Sequence, residues 1–226
     1  MTRSDLTLAD PRVADALERN DRYVREFVEA FNLCPYAKRT REAGRLQRIV
    51  LLEDAGEALD ALCRTVEKLE ALPVDSLDVA LVIFPALPQG KDAAQAFEQM
   101  VAAARERMQS RHPSRDTPFY CVPFHPGFAE DLADEHRAVR FIRRSPDPTV
   151  QFVRASVLRA VRGTGAADYV DTSAMSAAEL MAVSAPPSVS DRIARANLRT
   201  LQAQAPDRLR GLLAEIRTHD NSRADS

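Results

Sequence analysis

The run Asp78-Val79-Ala80-Leu81-Val82-Ile83-Phe84, closed by Pro85, constrains the fold more than any other segment. Six consecutive aliphatic or aromatic residues without glycine suit a strand buried on both faces. Such a strand needs apolar cover above and below, and amphipathic helices flank it. Over Gly56–Leu72, Leu59, Leu62, Cys63, Val66 and Leu69 recur at helical spacing. Over Lys91–Met108, Ala93, Phe97, Met100, Val101 and Ala104 do the same. The short apolar run Ile49-Val50-Leu51-Leu52 reads as an earlier strand and Phe119–Pro123 as a later one, where Pro123 marks an edge or an end. Strand, helix, strand, helix, strand is the order of crossover units around a parallel sheet.

Upstream, Val13, Leu17, Val24, Phe27, Val28 and Phe31 mark a long amphipathic helix from Val13 to Leu33, which Pro35 cannot continue. A basic loop, Lys38 to Gly44, follows. Downstream, Val150, Val153, Val157 and Val161 give a helical stripe over Pro148–Val161, ended by Gly163 and Gly165. An Ala/Ser-rich excursion occupies about 163–190, and Asp191–Arg217 forms a last helix with a break at Pro206. The expected fold is α/β: a small, mostly parallel sheet of about three strands with crossover helices, plus a helical C-terminal portion. It fills 11–218 as one domain between loose tails at 1–10 and 219–226.

Composition narrows the function class. Acidic and basic residues nearly balance, 33 against 31, for a net charge of −2. A general nucleic-acid binder would carry a basic excess, so no nucleic-acid partner is expected. No apolar run reaches the ~20 residues that span a bilayer, and Met1–Asp10 lacks the apolar core of a secretory signal. Three widely spaced cysteines, Cys34, Cys63 and Cys121, form no disulfide framework and point to reduced thiols in the cytoplasm. With 7 glycines and neither a Walker loop nor a dinucleotide fingerprint, the sequence names no cofactor.

Three segments carry candidate chemistry. In Asn32-Leu33-Cys34-Pro35-Tyr36-Ala37-Lys38, Cys34 has Lys38 and Arg39 nearby, and positive neighbours stabilise a thiolate. The negative end of the preceding helix opposes that, and a buried, inert cysteine is the alternative. A Cys-Pro pair can also ligate haem iron. In Phe124-His125-Pro126-Gly127-Phe128, His125 lies just past a strand end, where open α/β sheets place ligands and where an imidazole can act as acid or base. The other reading is a turn histidine packed between Phe124 and Phe128. In Arg143-Arg144-Ser145-Pro146-Asp147-Pro148, Ser145 or Asp147 caps the expected helix, and Arg143 and Arg144 beside its N-terminus attract an anion. Cys121 and His125, even joined by Cys34 and His136, lack the paired spacing of a zinc site.

Taken together and in order, these segments resemble a bacterial family catalogued as domain of unknown function 1415. That family carries Asn-Leu-Cys-Pro-Phe-Ala, then Phe-His-Pro, then Asn-Arg-Ser-Pro-Tyr-Pro. The matches are Asn32 to Ala37, Phe124 to Pro126, and Arg144-Ser145-Pro146 with Pro148 and Thr149. A weaker echo lies in Ile193, Asn197, Thr200 and Leu201. The chain departs from the pattern at Arg143, at Asp147, and at Gln151 and Ala155, where the family has His and Glu.

The resemblance supplies no reaction. From the residues, the sharpest expectation is an enzyme for a small anionic metabolite. Cys34 is its nucleophile or redox centre, His125 the acid–base partner, and Lys38, Arg143, Arg144 and Ser145 hold the anion. The competing readings are a non-catalytic module that binds a ligand or partner, and a haem- or metal-binding protein acting through Cys34.

Overall fold

A computed structural model describes residues 10–34, 36–112, 117–162 and 189–218. Residues 1–9 and 219–226 of the expected tails and most of the excursion at 163–190 lie outside the described residues, while Asp10 is the cap of the first helix. Helix α1 (Pro11–Arg22) opens at Asp10, whose side chain accepts from the Arg12 N–H, with proline in the first position. It continues as a π-helical segment, Tyr23–Glu29. A short helix α2 (Ala37–Glu42) stands where a loop was expected. Then come β1 (Leu46–Val50), α3 (Ala58–Glu70), β2 (Val79–Ile83), α4 (Lys91–Arg111), β3 (Phe119–Phe124), α5 (Glu135–Ile142), β4 (Thr149–Arg154) and α6 (Ala155–Arg162). The C-terminal helix is two, α7 (Val189–Ala203) and α8 (Pro206–Thr218), divided just before Pro206 as the sequence suggests.

The sheet corrects two expectations. It has four strands in the order β1-β2-β4-β3, and it is mixed. Only β1 and β2 are parallel; β4 lies antiparallel between β2 and β3. The segment expected as a helix from Pro148 is therefore, over Thr149–Arg154, a central strand. Its valines are β-branched, and β4 is buried on both faces, which hides the alternation that identifies a half-buried strand. Pro148 also holds Asp147 away from helical geometry. Helix starts only at Ala155.

Alternation along β2 sorts the layers. Ala80, Val82 and Phe84 pack into one core with α3 and α4, together with Val150 and Phe152 of β4. Val79 and Leu81 face a second core, built by the first helix, α5, α7 and α8 around Phe27, Phe141 and Leu201. Arg154, at the end of β4, is buried and bridges elements by donating to the carbonyls of Leu72 (2.9 Å) and Leu77 (3.0 Å). Its guanidinium also lies 4.8 Å from the centre of the Phe119 ring. No helix among the described residues is long and apolar enough to cross a membrane.

Candidate functional site

The π-helical segment has a definite exit. Leu33 donates to the Val28 carbonyl (2.9 Å), and Asn32 takes the left-handed conformation, φ 51°, which asparagine tolerates at a helix end. The Leu33 carbonyl then accepts from the buried Asn197 side chain at 2.9 Å, fixing the chain as it reaches Cys34. π-Helical segments recur at functional sites, and this one borders a cavity.

The cavity, of about 130 Å³, lies between the first helix and the sheet face that carries Val79 and Leu81. Tyr23, Val24 and Val28 form its roof. Its floor includes Leu46, Thr149 and Gln151. Cys34, Ala37 and Thr40 close one end, while Phe124, Ile142 and Ser145 close another. Among the described residues no charged side chain lines it. The Tyr23 hydroxyl, whose pKa burial pushes up, donates to the Ile142 carbonyl. Ser145 and Thr149 both donate to the Asp147 carbonyl, at 2.6 and 2.9 Å.

Cys34 is partly buried. Burial pushes its thiol pKa up, and Glu29 adds to this. Backbone hydrogen bonds from Tyr36 and Ala37 act the other way. Among the described residues no cation contributes to the shift, and two cations of the neighbouring helix pair with carboxylates instead. Lys38 is 69% exposed and sits 3.9 Å from Glu42, while Arg41 makes a two-toothed pair with Glu29.

His125 is fully buried, tilted between the rings of Phe97 and Phe128. Its Nδ1 accepts from the Gly127 N–H at 3.0 Å, so Nε2 carries the proton and donates to the Pro88 carbonyl at 3.1 Å. Burial lowers its pKa from 6.5. Both nitrogens are engaged and His125 does not line the Cys34 cavity, so the expected Cys–His pair is not assembled. Among the described residues no three metal-ligating side chains cluster.

The expected anion-binding helix terminus is also absent, because Ser145 and Asp147 lead into strand β4. The Asp147 carboxylate is instead held by both forks of Arg19, at 2.9 and 3.0 Å. The Arg143 carbonyl accepts from the His125 N–H. Arg144 turns away from the cavity into a separate cleft of about 200 Å³, lined also by Glu130, Arg210 and Arg217, with Ser145 bordering both spaces.

The segments around Cys34, Phe124 and Ser145 are thus spatial neighbours on one cavity, and they fall within a family pattern. The sequence pattern of the proteins of unknown function DUF1415 matches residues 15–186. The chain belongs to the DUF1415 family. No curated protein and no solved structure matches it.

In this DUF1415 chain the sequence reading missed Tyr23, Thr40 and Gln151 on the cavity, and Arg210 and Arg217 in the cleft. Gln151 was visible as a departure from the family's histidine, but its position on a strand facing Cys34's cavity was not. Arg210, Leu213, Ala214 and Arg217 follow helical i, i+3, i+4, i+7 spacing, a readable signal for one shared face.

Proposed function

We propose that this protein binds a small, uncharged, largely apolar molecule in the cavity beside Cys34, with the thiol as its contact group. One observation carries this reading: the segments that match the family pattern meet there. Cys34 and Ala37 come from the first, Phe124 from the second, and Ser145 and Thr149 from the third; Asn197, beyond the matched residues, secures Leu33 from behind. The volume is close to the roughly 150 Å³ of an apolar cavity that takes up benzene. Among the described residues the lining supplies no carboxylate, imidazole or amine to take the Cys34 proton, which favours binding over thiol catalysis.

A thermal-shift panel of neutral ring compounds tests this, because a ligand that binds only the folded state raises its stability. Wild type responds to one or more compounds; Ala37→Leu, which fills the cavity, does not. Equal responses in both proteins would place binding elsewhere and overturn the reading.

A further inference from the structure

We infer that the cleft between the 126–130 turn, the 144–146 segment and α8 is an anion site for a small dianion, a phosphate group above all. This is independent of the cavity reading. Among the described residues three guanidiniums, Arg144, Arg210 and Arg217, line it against one carboxylate, Glu130. Glu130 bridges two of them, Arg144 at 2.8 Å and Arg210 at 2.9 Å. Arg210 also reaches Asp207 at 2.9 Å, but that carboxylate is 97% exposed and is screened by solvent. Arg217 has no ion-pair partner among the described residues, which therefore give the cleft an excess of positive charge.

The cations are held in place rather than merely accumulated. Arg210 and Arg217 sit two helical turns apart on one face of α8. The Arg144 side chain is only 15% exposed, and it also donates to the Phe128 carbonyl. Burial pushes its pKa down, and Arg217 and Arg210 do so further, against the pull of Glu130. An anion in the cleft would relieve that mutual repulsion. Planar guanidinium forks match phosphate oxygens in paired hydrogen bonds. Glu130 occupies part of this site, and a stronger dianion competes with it.

The test is titration of the full chain with inorganic phosphate against sodium chloride at equal ionic strength, read by melting temperature and calorimetry. Phosphate raises the melting temperature beyond chloride. Arg217→Gln, an exposed position, weakens phosphate binding by about 10-fold or more, in line with a lost charged hydrogen bond, and does not lower the unliganded melting temperature, since it relieves repulsion on Arg144. Glu130→Gln tightens it, because the internal competitor is gone. Chloride reproducing the whole shift, or both variants binding phosphate like wild type, would overturn the site.

Discussion

Arg19 and Asp147, 128 residues apart in sequence, form a two-toothed ion pair in which Asp147 is 1% exposed and Arg19 16%. It fastens α1 to the segment leading into β4. Removing one partner leaves the other charge buried and uncompensated. Asp147→Ala is therefore expected to cost about 3–5 kcal/mol, the usual range for breaking a buried pair. Arg19→Ala should cost a similar amount. The double variant should lose less than the sum of the two, because neither charge is stranded. Urea denaturation of the four proteins gives the coupling, and strict additivity would mean that the pair does not hold α1 in place.

His125 predicts acid sensitivity. Its folded-state pKa is depressed below 6.5 by burial, whereas the unfolded chain takes up the proton near 6.5. The stability it contributes is complete above that value and is lost as pH falls through the window beneath it. His125→Asn should lower stability at neutral pH and flatten the slope of the unfolding midpoint below about pH 6.5. Ligand binding in the Cys34 cavity should be untouched. An unchanged slope in this variant would show that His125 takes up its proton alike in the folded and unfolded chain, against the depressed value.

Gly127 is expected to resist even alanine. A Cβ there would lie 2.5 Å from the Gly90 carbonyl oxygen and 3.1 Å from His125 Nδ1. The first of these is backbone at the start of α4, which cannot swing aside as a side chain could. Gly127→Ala should destabilise by about 1–3 kcal/mol, as overpacking does, and should weaken the Gly127–His125 hydrogen bond. Thermal unfolding measures the first effect, and the His125 imidazole NMR shifts report the second. A neutral substitution would mean that the two turns separate freely.

Cys34 should titrate above an ordinary thiol, since burial outweighs the two backbone hydrogen bonds. Alkylation with a small reagent should therefore be slower at neutral pH than for a free thiol, yet faster than at Cys63 and Cys121, which are both buried. Occupancy of the adjoining cavity should slow it further. Mass spectrometry of the native protein after timed alkylation gives all three rates. A Cys34 rate above that of a free thiol would restore the activated-nucleophile reading.

The parts of the fold legible in the sequence were those with an unmixed period. The apolar run at Val79–Phe84 and the stripes on α3 and α4 each have one interpretation, and the structure has strands and helices there. β4 was misread because Val150, Val153 and Val157 fall at helical spacing by coincidence, and a strand buried on both faces has no polar alternation to contradict it. The site was legible as segments and not as contacts. Nothing near Cys34 in sequence shows that Lys38 and Arg41 turn toward Glu42 and Glu29. Likewise, the choice of Arg19 as partner for Asp147 depends on packing between distant elements. His125 illustrates the ambiguity: the same residue between prolines and aromatics serves as a catalytic base or as a core hydrogen-bonding group, depending on what its two nitrogens meet.

Strand β4 fills the gap between two strands that precede it in the chain, and this bears on synthesis. As the chain leaves a ribosome, β2 and β3 are both complete before β4 exists, each with a row of unsatisfied backbone donors and acceptors. The last-made strand must slide between them, a late, long-range closure of the kind that slows folding. Until it does, two apolar edges stand open to mispairing with other chains. A nascent chain stalled before residue 149 should therefore depend on chaperone shielding, which a chain released after residue 154 no longer needs for its sheet.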